Sequence, residues 1–174
     1  MSLPEVTPSP VVTPTVDART RRALRRAALA VLVEVDGYEF VEPGGEAAAA
    51  ITGLALPVVV DAFGGGVPPG ILMREVWQGD HQYGFVLVSV VPRPAADQEL
   101  ADDAAFRMAS ILAQLTAPPI QGELAGRTVN RLQNAENEAH VVTWAPDGTT
   151  MVAVVVFGPD RADVVAEGII RGAR

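Results

Sequence analysis

The feature that most constrains the fold is an arrangement of apolar segments that occurs twice along the chain. In each occurrence a strand-like run leads through a turn into a longer apolar run, and an acidic helix start follows. The runs are 71–77 and 83–91 in the first unit and 127–132, 140–144 and 151–157 in the second. Short runs rich in β-branched residues are typical of strands, and runs that are apolar throughout are typical of strands covered on both faces. The pattern predicts two strand-rich units, each closed by a helix.

Helical periodicity predicts the remaining elements. Asp17 and Asp160 are predicted to cap the first and the last helix, and a further helix is predicted over 97–115 with an acidic first turn at Asp97 and Glu99. In all three segments the apolar residues recur at helical spacing. An alanine-rich helix is predicted over 46–56 and is expected to end before Pro57. Two segments, 30–41 and 57–63, fit a helix and a strand equally well. The alternative stays open for both, and 38–41 is either a short edge strand or an extended loop.

These elements predict an α+β fold. We expect a two-layer sandwich with a mainly antiparallel sheet of about five or six strands, helices packed on one face, and an internal ββα pseudo-repeat. The turn Pro146-Asp147-Gly148 predicts that the last two strands pair as an antiparallel hairpin, because proline sets φ and aspartate and glycine tolerate positive φ.

The length favours one domain. A chain of 174 residues is long enough for one hydrophobic core and short for two. We assign residues 17–174 to a single α+β domain. Residues 4–16 contain four prolines interleaved with threonine and serine, so we interpret 1–16 as a flexible, extended tether.

Composition excludes several classes of function. The net charge of −8, with no lysine in the chain, argues against nucleic-acid binding, because neutralising phosphates requires a basic surface. The absence of cysteine excludes disulfides, thiolate metal sites and cysteine nucleophiles. No apolar run reaches the ~20 residues of a membrane-spanning helix.

Catalytic motifs are missing. His81 lies in a predicted turn and His140 at a strand entry, with no spacing typical of a metal site, so we predict neither a metal nor a cofactor. Ser89 lies inside an apolar strand without the glycines of a nucleophile elbow. We therefore expect no catalytic residues. A small hydrolase that uses His140 or His81 with a carboxylate is the enzymatic alternative.

Two large aromatic residues supply the candidate binding site. Trp77 and Trp144 hold similar places in the two units, near a strand end beside a turn, so we predict that they line a groove between the units, with His140 nearby. The alternative is that both pack in the core or at its rim. Three asparagines, Asn130, Asn134 and Asn137, are interpreted as a solvated polar turn.

The chain resembles domains of uncharacterised secreted or lipid-anchored, lipoprotein-like proteins of actinobacteria over roughly residues 17–172. The resemblance is carried by the Pro/Thr stub, an Ala/Arg helix, Gly37-Tyr38-Glu39-Phe40 and Trp144-Ala145-Pro146-Asp147-Gly148. It implies an extracytoplasmic domain with a membrane tether upstream of residue 4. A cytoplasmic location is the alternative.

The functional expectation is a non-enzymatic binding or interaction module. Its partner is expected to be a protein, a peptide or a small hydrophobic ligand. The alternative is a structural or assembly subunit whose apolar strands pair across a homodimer.

Overall fold

The structure is a computed structural model that describes residues 16–62, 70–114, 118–134, 138–158 and 160–173. Within these ranges the chain forms helices and strands in the following order: α1 Ala18–Val31, β1 Glu39–Val41, α2 Gly45–Ala62, β2 Gly70–Gln78, β3 His81–Val90, α3 Gln98–Leu112, β4 Ile120–Leu124, β5 Arg127–Asn134, β6 Ala139–Asp147, β7 Thr150–Phe157 and α4 Arg161–Gly172. The predicted α+β class is confirmed. The tether predicted for 1–16 lies outside the described residues except for Val16.

Aspartates cap two of the helices. Asp17 was the predicted cap of α1, whereas Asp97 was expected inside the first turn of α3 and is its cap. Asp160, the predicted cap of α4, has a left-handed backbone conformation and makes no capping hydrogen bond through its side chain. The Asp17 carboxylate accepts hydrogen bonds from the backbone N–H groups of Arg19 and Thr20, over 2.8 and 2.9 Å. The Asp97 carboxylate accepts one from Leu100 N–H over 2.8 Å. Each bond satisfies an N–H group that the first helical turn leaves without an intrahelical partner.

Helix α2 corrects one predicted boundary. We expected it to end before Pro57, but it continues to Ala62 with the proline inside. Proline in a helix interior removes one backbone hydrogen bond and crowds the carbonyl four residues earlier. The helix persists because Ala55 and Val59, on either side of Pro57, are fully buried in the core. The second ambiguous segment is therefore helical through residue 62.

The other ambiguous segment contains three kinds of structure. Helix α1 runs to Val31, an isolated antiparallel bridge joins Val35 to Tyr38, and β1 follows directly. Strand β1 is thus the short edge strand that was one of the two predicted alternatives.

All strands belong to one open antiparallel sheet in the order β1-β2-β3-β7-β6-β5-β4. It has seven strands where we expected five or six. The difference comes from its two edges, since β1 has three residues and β4 has five. The two strands with the longest apolar runs, β3 and β7, pair at the centre of the sheet.

Helices cover both faces of the sheet, which corrects the predicted two-layer sandwich with helices on one face. Alternate side chains of the central strands enter two separate cores: Val86 and Val88 join one, and Leu87 joins the other. Helices α1 and α4 close the first core and α2 and α3 close the second. The physical reason is that β7 is buried along both faces, and burying both faces requires a layer on each.

The internal ββα repeat stays a prediction. Both hairpins, β2–β3 and β6–β7, are present and meet at the centre of the sheet. The helices that follow them differ in placement. Helix α3 packs across β6 and β7 on one face, and α4 packs on β7 and β6 on the opposite face.

The predicted hairpin between the last strands is confirmed. Strand β6 ends at Asp147 and β7 begins at Thr150, so Gly148 and Thr149 form the turn. The Asp147 carboxylate accepts hydrogen bonds from both the backbone N–H and the hydroxyl of Thr149, each over 2.7 Å. The turn is also held from outside, because Ala95 N–H donates to the Gly148 carbonyl over 2.7 Å.

These contacts predict a pH-dependent contribution from Asp147. Burial, the largest single effect, disfavours its charged form, but the hydrogen bonds from Thr149 and Thr150 together outweigh burial and hold the pKa below its ordinary value of 3.8. A lowered folded-state pKa stabilises the protein above the unfolded-state value, and the stabilisation is lost as pH falls through the folded-state value.

We expect Asp147→Asn to lower the free energy of unfolding at neutral pH by less than about 1 kcal/mol, because the carboxylate is partly solvated. The difference from wild type should shrink as the pH falls below 3.8. Urea unfolding across an acidic pH series measures it. A difference that stays constant with pH would contradict the role of the ionised carboxylate.

Among the described residues, no helix combines the length and the apolar character needed to cross a membrane.

Candidate functional site

The predicted groove between the two tryptophans is not formed. Trp144 is 2% exposed and belongs to the core that α1 and α4 close. Pairing places Trp144 level with Val152, Val88 and Leu72 on successive strands. Trp77 lies on the same strand as Leu72 but five residues further on, so strand spacing puts the indoles roughly 20 Å apart. Trp77 is half-buried, and its indole N–H donates to Glu75 over 2.9 Å.

The histidines also lie apart. His81 is exposed at the start of β3, with its ring centroid 6.4 Å from that of Tyr83. His140 is half-buried near the start of β6, two strands away, where it pairs with Gln133 and Val156. Within the described part of the chain, no three acidic or histidine side chains are grouped so that they could hold a metal ion. Ser89 is fully buried in the core, where a substrate has no access.

Two clefts flank the outer hairpin formed by β4 and β5, one on each face of the sheet. They arise because the helices are centred on the inner strands: α3 packs mainly on β6 and β7, and α4 on β7 and β6. Strand β4 therefore lies at the margin of the helical layers, where it makes limited contact with α4 and packs Leu124 against the first core. Its first residue, Ile120, is 70% exposed, the largest exposure among the exposed apolar residues of the described chain.

The α4 cleft lies between the start of α4 and strands β4, β5 and β6. It has a volume of about 240 Å³. Its lining combines charged and polar side chains with apolar ones, and includes Ile120, Arg131, Gln133, His140, Val142, Asp160, Ala162 and Asp163. His140, the third predicted site residue, is thus in a cleft, but neither tryptophan lines it.

Arg131 connects α4 to the outer hairpin across this cleft. Its Nε donates to both carboxylate oxygens of Asp163, over 2.8 and 3.2 Å, and its terminal nitrogen donates to the Glu123 carbonyl over 3.3 Å. The guanidinium lies against Gly122, where a Cβ would come within 2.3 Å of it. The absence of a side chain at Gly122 therefore lets Arg131 reach the outer edge of the sheet.

The α3 cleft lies on the opposite face and has a volume of about 610 Å³. Helix α3 forms one wall, and the outer strands form the floor. The lining residues are Gln98, Glu99, Asp102, Asp103, Phe106, Pro119, Gln121, Gly126, Arg127, Thr128, Asn130 and Ala145.

Hydrogen bonds fix the inner end of the α3 cleft. Ala145 N–H donates to Asp102 over 2.8 Å, and the Gln98 amide donates to the Ala145 carbonyl over 2.8 Å. Arg127 donates to the Pro146 carbonyl over 3.0 Å. These bonds satisfy backbone groups where the pairing of β6 with β7 shifts register between Trp144 and Asp147. Helix α3 and β6 are thereby held at a fixed separation.

Asn130 is the residue of this cleft that the sequence interpretation placed wrongly. We expected a solvated turn, but Asn130 lies within β5, pairs with Gln121 and Thr143, and is 7% exposed. Its position follows from strand register, which brings every second residue of β5 to the α3 side. Asn137 lies outside the described residues.

Comparisons of the chain with protein-family models, with curated proteins and with solved structures give no match. The site is therefore interpreted from its own geometry.

Proposed function

We propose that the protein is a non-enzymatic binding module that holds an extended peptide segment of a protein partner by strand addition along the outer edge of β4. The observation that carries the proposal is the position of β4. It is the last strand of the sheet, it lies at the margin of the helical layers, and it has a cleft on either face.

The backbone of β4 favours this mode of binding. A two-residue loop with positive φ at Ala125 and Gly126 joins β4 to β5. In such a hairpin the pair that closes the loop, Leu124 with Arg127, is hydrogen-bonded, and hydrogen-bonded and non-hydrogen-bonded pairs then alternate along the strands. Gln121 and Glu123 belong to non-hydrogen-bonded pairs, so their backbone N–H and C=O groups point away from β5. Arg131 already contacts the Glu123 carbonyl. The N–H and C=O of Gln121 and the N–H of Glu123 remain for an added strand.

The clefts provide room for the side chains of such a segment. Successive side chains of a strand point to opposite faces of the sheet. A strand added to β4 would therefore direct alternate side chains toward the α3 cleft and the α4 cleft. Backbone bonds along β4 would supply affinity, and the two clefts would supply selectivity.

The opposite edge of the sheet is less suited to strand addition. Strand β1 has three residues, and short edge strands offer few backbone groups. The residue after it, Glu42, lies 3.3 Å from Arg25 and 4.0 Å from Arg74. This ion-pair group borders the end of β1.

Gln121→Pro tests the proposal. Proline removes the outward N–H of residue 121, and an edge strand tolerates it where the N–H faces solvent. Peptides selected from a random phage-displayed library on the wild-type protein should bind the Gln121→Pro protein about tenfold more weakly, since one backbone hydrogen bond is lost. Fluorescence anisotropy of labelled synthetic peptides measures the affinities.

Gln121→Ala is the matched control, because it removes the same side chain and keeps the backbone N–H. It should bind the peptides within about twofold of wild type. Equal affinity of the proline and alanine proteins, or a library that yields no binding peptides, would overturn the proposal. Circular dichroism shows whether both proteins keep the fold.

A homodimer is the second candidate, and the same edge favours it. Two copies of β4 related by a twofold axis would pair antiparallel and continue the sheet. Native mass spectrometry distinguishes this case. If the wild-type protein is a dimer and the Gln121→Pro protein is a monomer, the segment that pairs with β4 is a second copy of the chain and not a peptide of another protein.

We further propose the extracytoplasmic location and the upstream tether that the resemblance implies.

A further inference from the structure

Asn130 is a polar group without a partner on the floor of the α3 cleft. The residue is 7% exposed and lines the cleft, and no residue in the described ranges hydrogen-bonds to its amide, whose atoms are not among the fully enclosed unpaired polar atoms of the described chain. A side-chain amide in a largely enclosed position is nearly always hydrogen-bonded, either to protein or to water. The amide carbonyl and NH₂ of Asn130 are therefore available to a ligand in the cleft.

The charges around Asn130 indicate the charge of that ligand. Three carboxylates line the cleft, those of Glu99, Asp102 and Asp103, against one guanidinium, that of Arg127, which gives a net charge of −2. The Asp102 carboxylate accepts a hydrogen bond from Ala145 N–H, and the Asp103 carboxylate lies 3.8 Å from the Arg107 guanidinium. Glu99 has no hydrogen bond or ion pair to any residue that the structure describes.

The wall opposite the floor contains an aromatic ring. Phe106, in the middle of α3, lines the cleft and is half-buried against the core. An aromatic face attracts a cation and also covers the apolar stem of a long side chain. A carboxylate, an amide carbonyl and an aromatic ring together favour a guanidinium or an ammonium group over an anion.

Distance selects a long side chain. Gln121 pairs directly with Asn130, so a strand added outside β4 would lie two strand spacings from Asn130, about 9–10 Å. A short side chain on that strand ends above Gln121. A side chain with four or more atoms beyond Cα extends over Gln121 toward the amide.

We infer that the α3 cleft is a subsite for an arginine or lysine side chain of the bound segment. The inference rests on the proposed function, since it names one side chain of the segment proposed to bind β4. It assigns Asn130 and Glu99 as the residues that select this side chain.

The inference is tested with a probe that does not need the β4 edge. Nα-acetyl-arginine methylamide should shift the side-chain amide signals of Asn130 in ¹H–¹⁵N spectra in a saturable manner, and Nα-acetyl-norleucine methylamide should not. Glu99→Gln should weaken the arginine probe about fivefold, the effect of one exposed ion pair. Glu46→Gln is the matched control, because Glu46 is likewise an acidic residue in the first turn of its helix but does not line the cleft.

The outcomes separate this inference from the proposed function. If the norleucine probe shifts Asn130 as strongly as the arginine probe, or if Glu99→Gln and Glu46→Gln weaken binding equally, the basic subsite is overturned. Library peptides that depend on Gln121 would still support strand addition in that case. If the arginine probe binds but the library peptides bind the Gln121→Pro protein as tightly as wild type, the proposal of strand addition to β4 is overturned. The cleft then binds a free cationic molecule.

Discussion

Replacing Trp144 by alanine is expected to lower the free energy of unfolding by about 3–5 kcal/mol. The indole is 2% exposed and is the largest fully buried side chain in the described part of the protein. It contributes to the core that α1 and α4 close, together with Val142, Val152 and Val154. Removing it takes away a large apolar surface and leaves a cavity between the sheet and α4, and both effects destabilise the folded state.

Urea unfolding followed by far-ultraviolet circular dichroism measures the loss, and the melting temperature should fall by roughly 10 °C. Trp77→Ala is the matched control. Its indole is half-buried beside the edge strand and contacts Glu75, so its loss should cost about 1–2 kcal/mol.

The comparison of these two variants decides between a core role and a ligand role for Trp144. A ligand-contacting indole can be removed without loss of folding. If Trp144→Ala unfolds at the same urea concentration as wild type, or if it is less affected than Trp77→Ala, the core assignment is wrong.

The central strands and most helices were predictable because their signals are local. Strands β3 and β7 are apolar runs bounded by glycine or proline, and Asp17 is a cap whose function depends only on the next few residues. Strand β4 gave no such signal. Its middle residues, Gln121, Gly122 and Glu123, are polar or lack a side chain, and Ala-Gly is not a common hairpin loop. The alternation of Ile120 and Leu124 with polar residues was the available clue.

The layer arrangement depends on long-range packing, which sequence periodicity does not report. The continuous apolar run 83–91 predicted cover on both faces of its strand, but the two closing helices of the expected repeat suggested that the helices lie on one face. The segment between β3 and α3 is long enough for α3 to pack on β6 and β7. The face of the sheet that α3 covers is decided by the packing of its apolar residues in the second core.

The candidate site was the least predictable part. The ion pair of Arg131 with Asp163 joins residues 32 positions apart, and the burial of Asn130 follows from strand register. The expected tryptophan groove depended on the pseudo-repeat, and similar places in two sequence units did not become neighbouring places in the sheet. His140 lines the α4 cleft because it lies near the start of β6, beside the start of α4.

The clefts follow from how the helices are distributed. Helices α3 and α4 pack mainly on β6 and β7, and β4 contributes to a core through Leu124, beside the turn to β5. Burying the rest of β4 would require longer helices or another layer. The sequence instead places polar residues on β4 and β5, which keep the outer hairpin soluble and leave its edge accessible.

The second large effect concerns a glycine at the centre of the sheet. Gly84 lies in β3 with φ of +152°, opposite a shift of pairing between Val76 and Trp77 of β2. The shift leaves Tyr83 as an extra residue of β3, and its ring lies under the Arg161 guanidinium, 3.9 Å from the centroid. A bulge at this point therefore connects the sheet to the first turn of α4.

Gly84→Ala is expected to lower the free energy of unfolding by at least about 3 kcal/mol, because steric overlap adds to backbone strain. A Cβ at this position would lie 2.0 Å from the Val155 carbonyl oxygen and 2.8 Å from the Val156 Cα. Both are backbone atoms of the paired strand, so relief requires β3 and β7 to separate at the middle of the sheet.

Gly79→Ala separates the overlap from the strain. Gly79 also has positive φ, +58°, but a Cβ there meets no atom within 4 Å. Gly79→Ala should therefore lower the free energy of unfolding by about 1 kcal/mol, which is the effect of backbone strain alone. Urea unfolding of both variants provides the comparison. If Gly84→Ala is no less stable than Gly79→Ala, β3 and β7 are not in the close contact at Gly84 that the bulge requires, and the coupling of Tyr83 to α4 loses its structural basis.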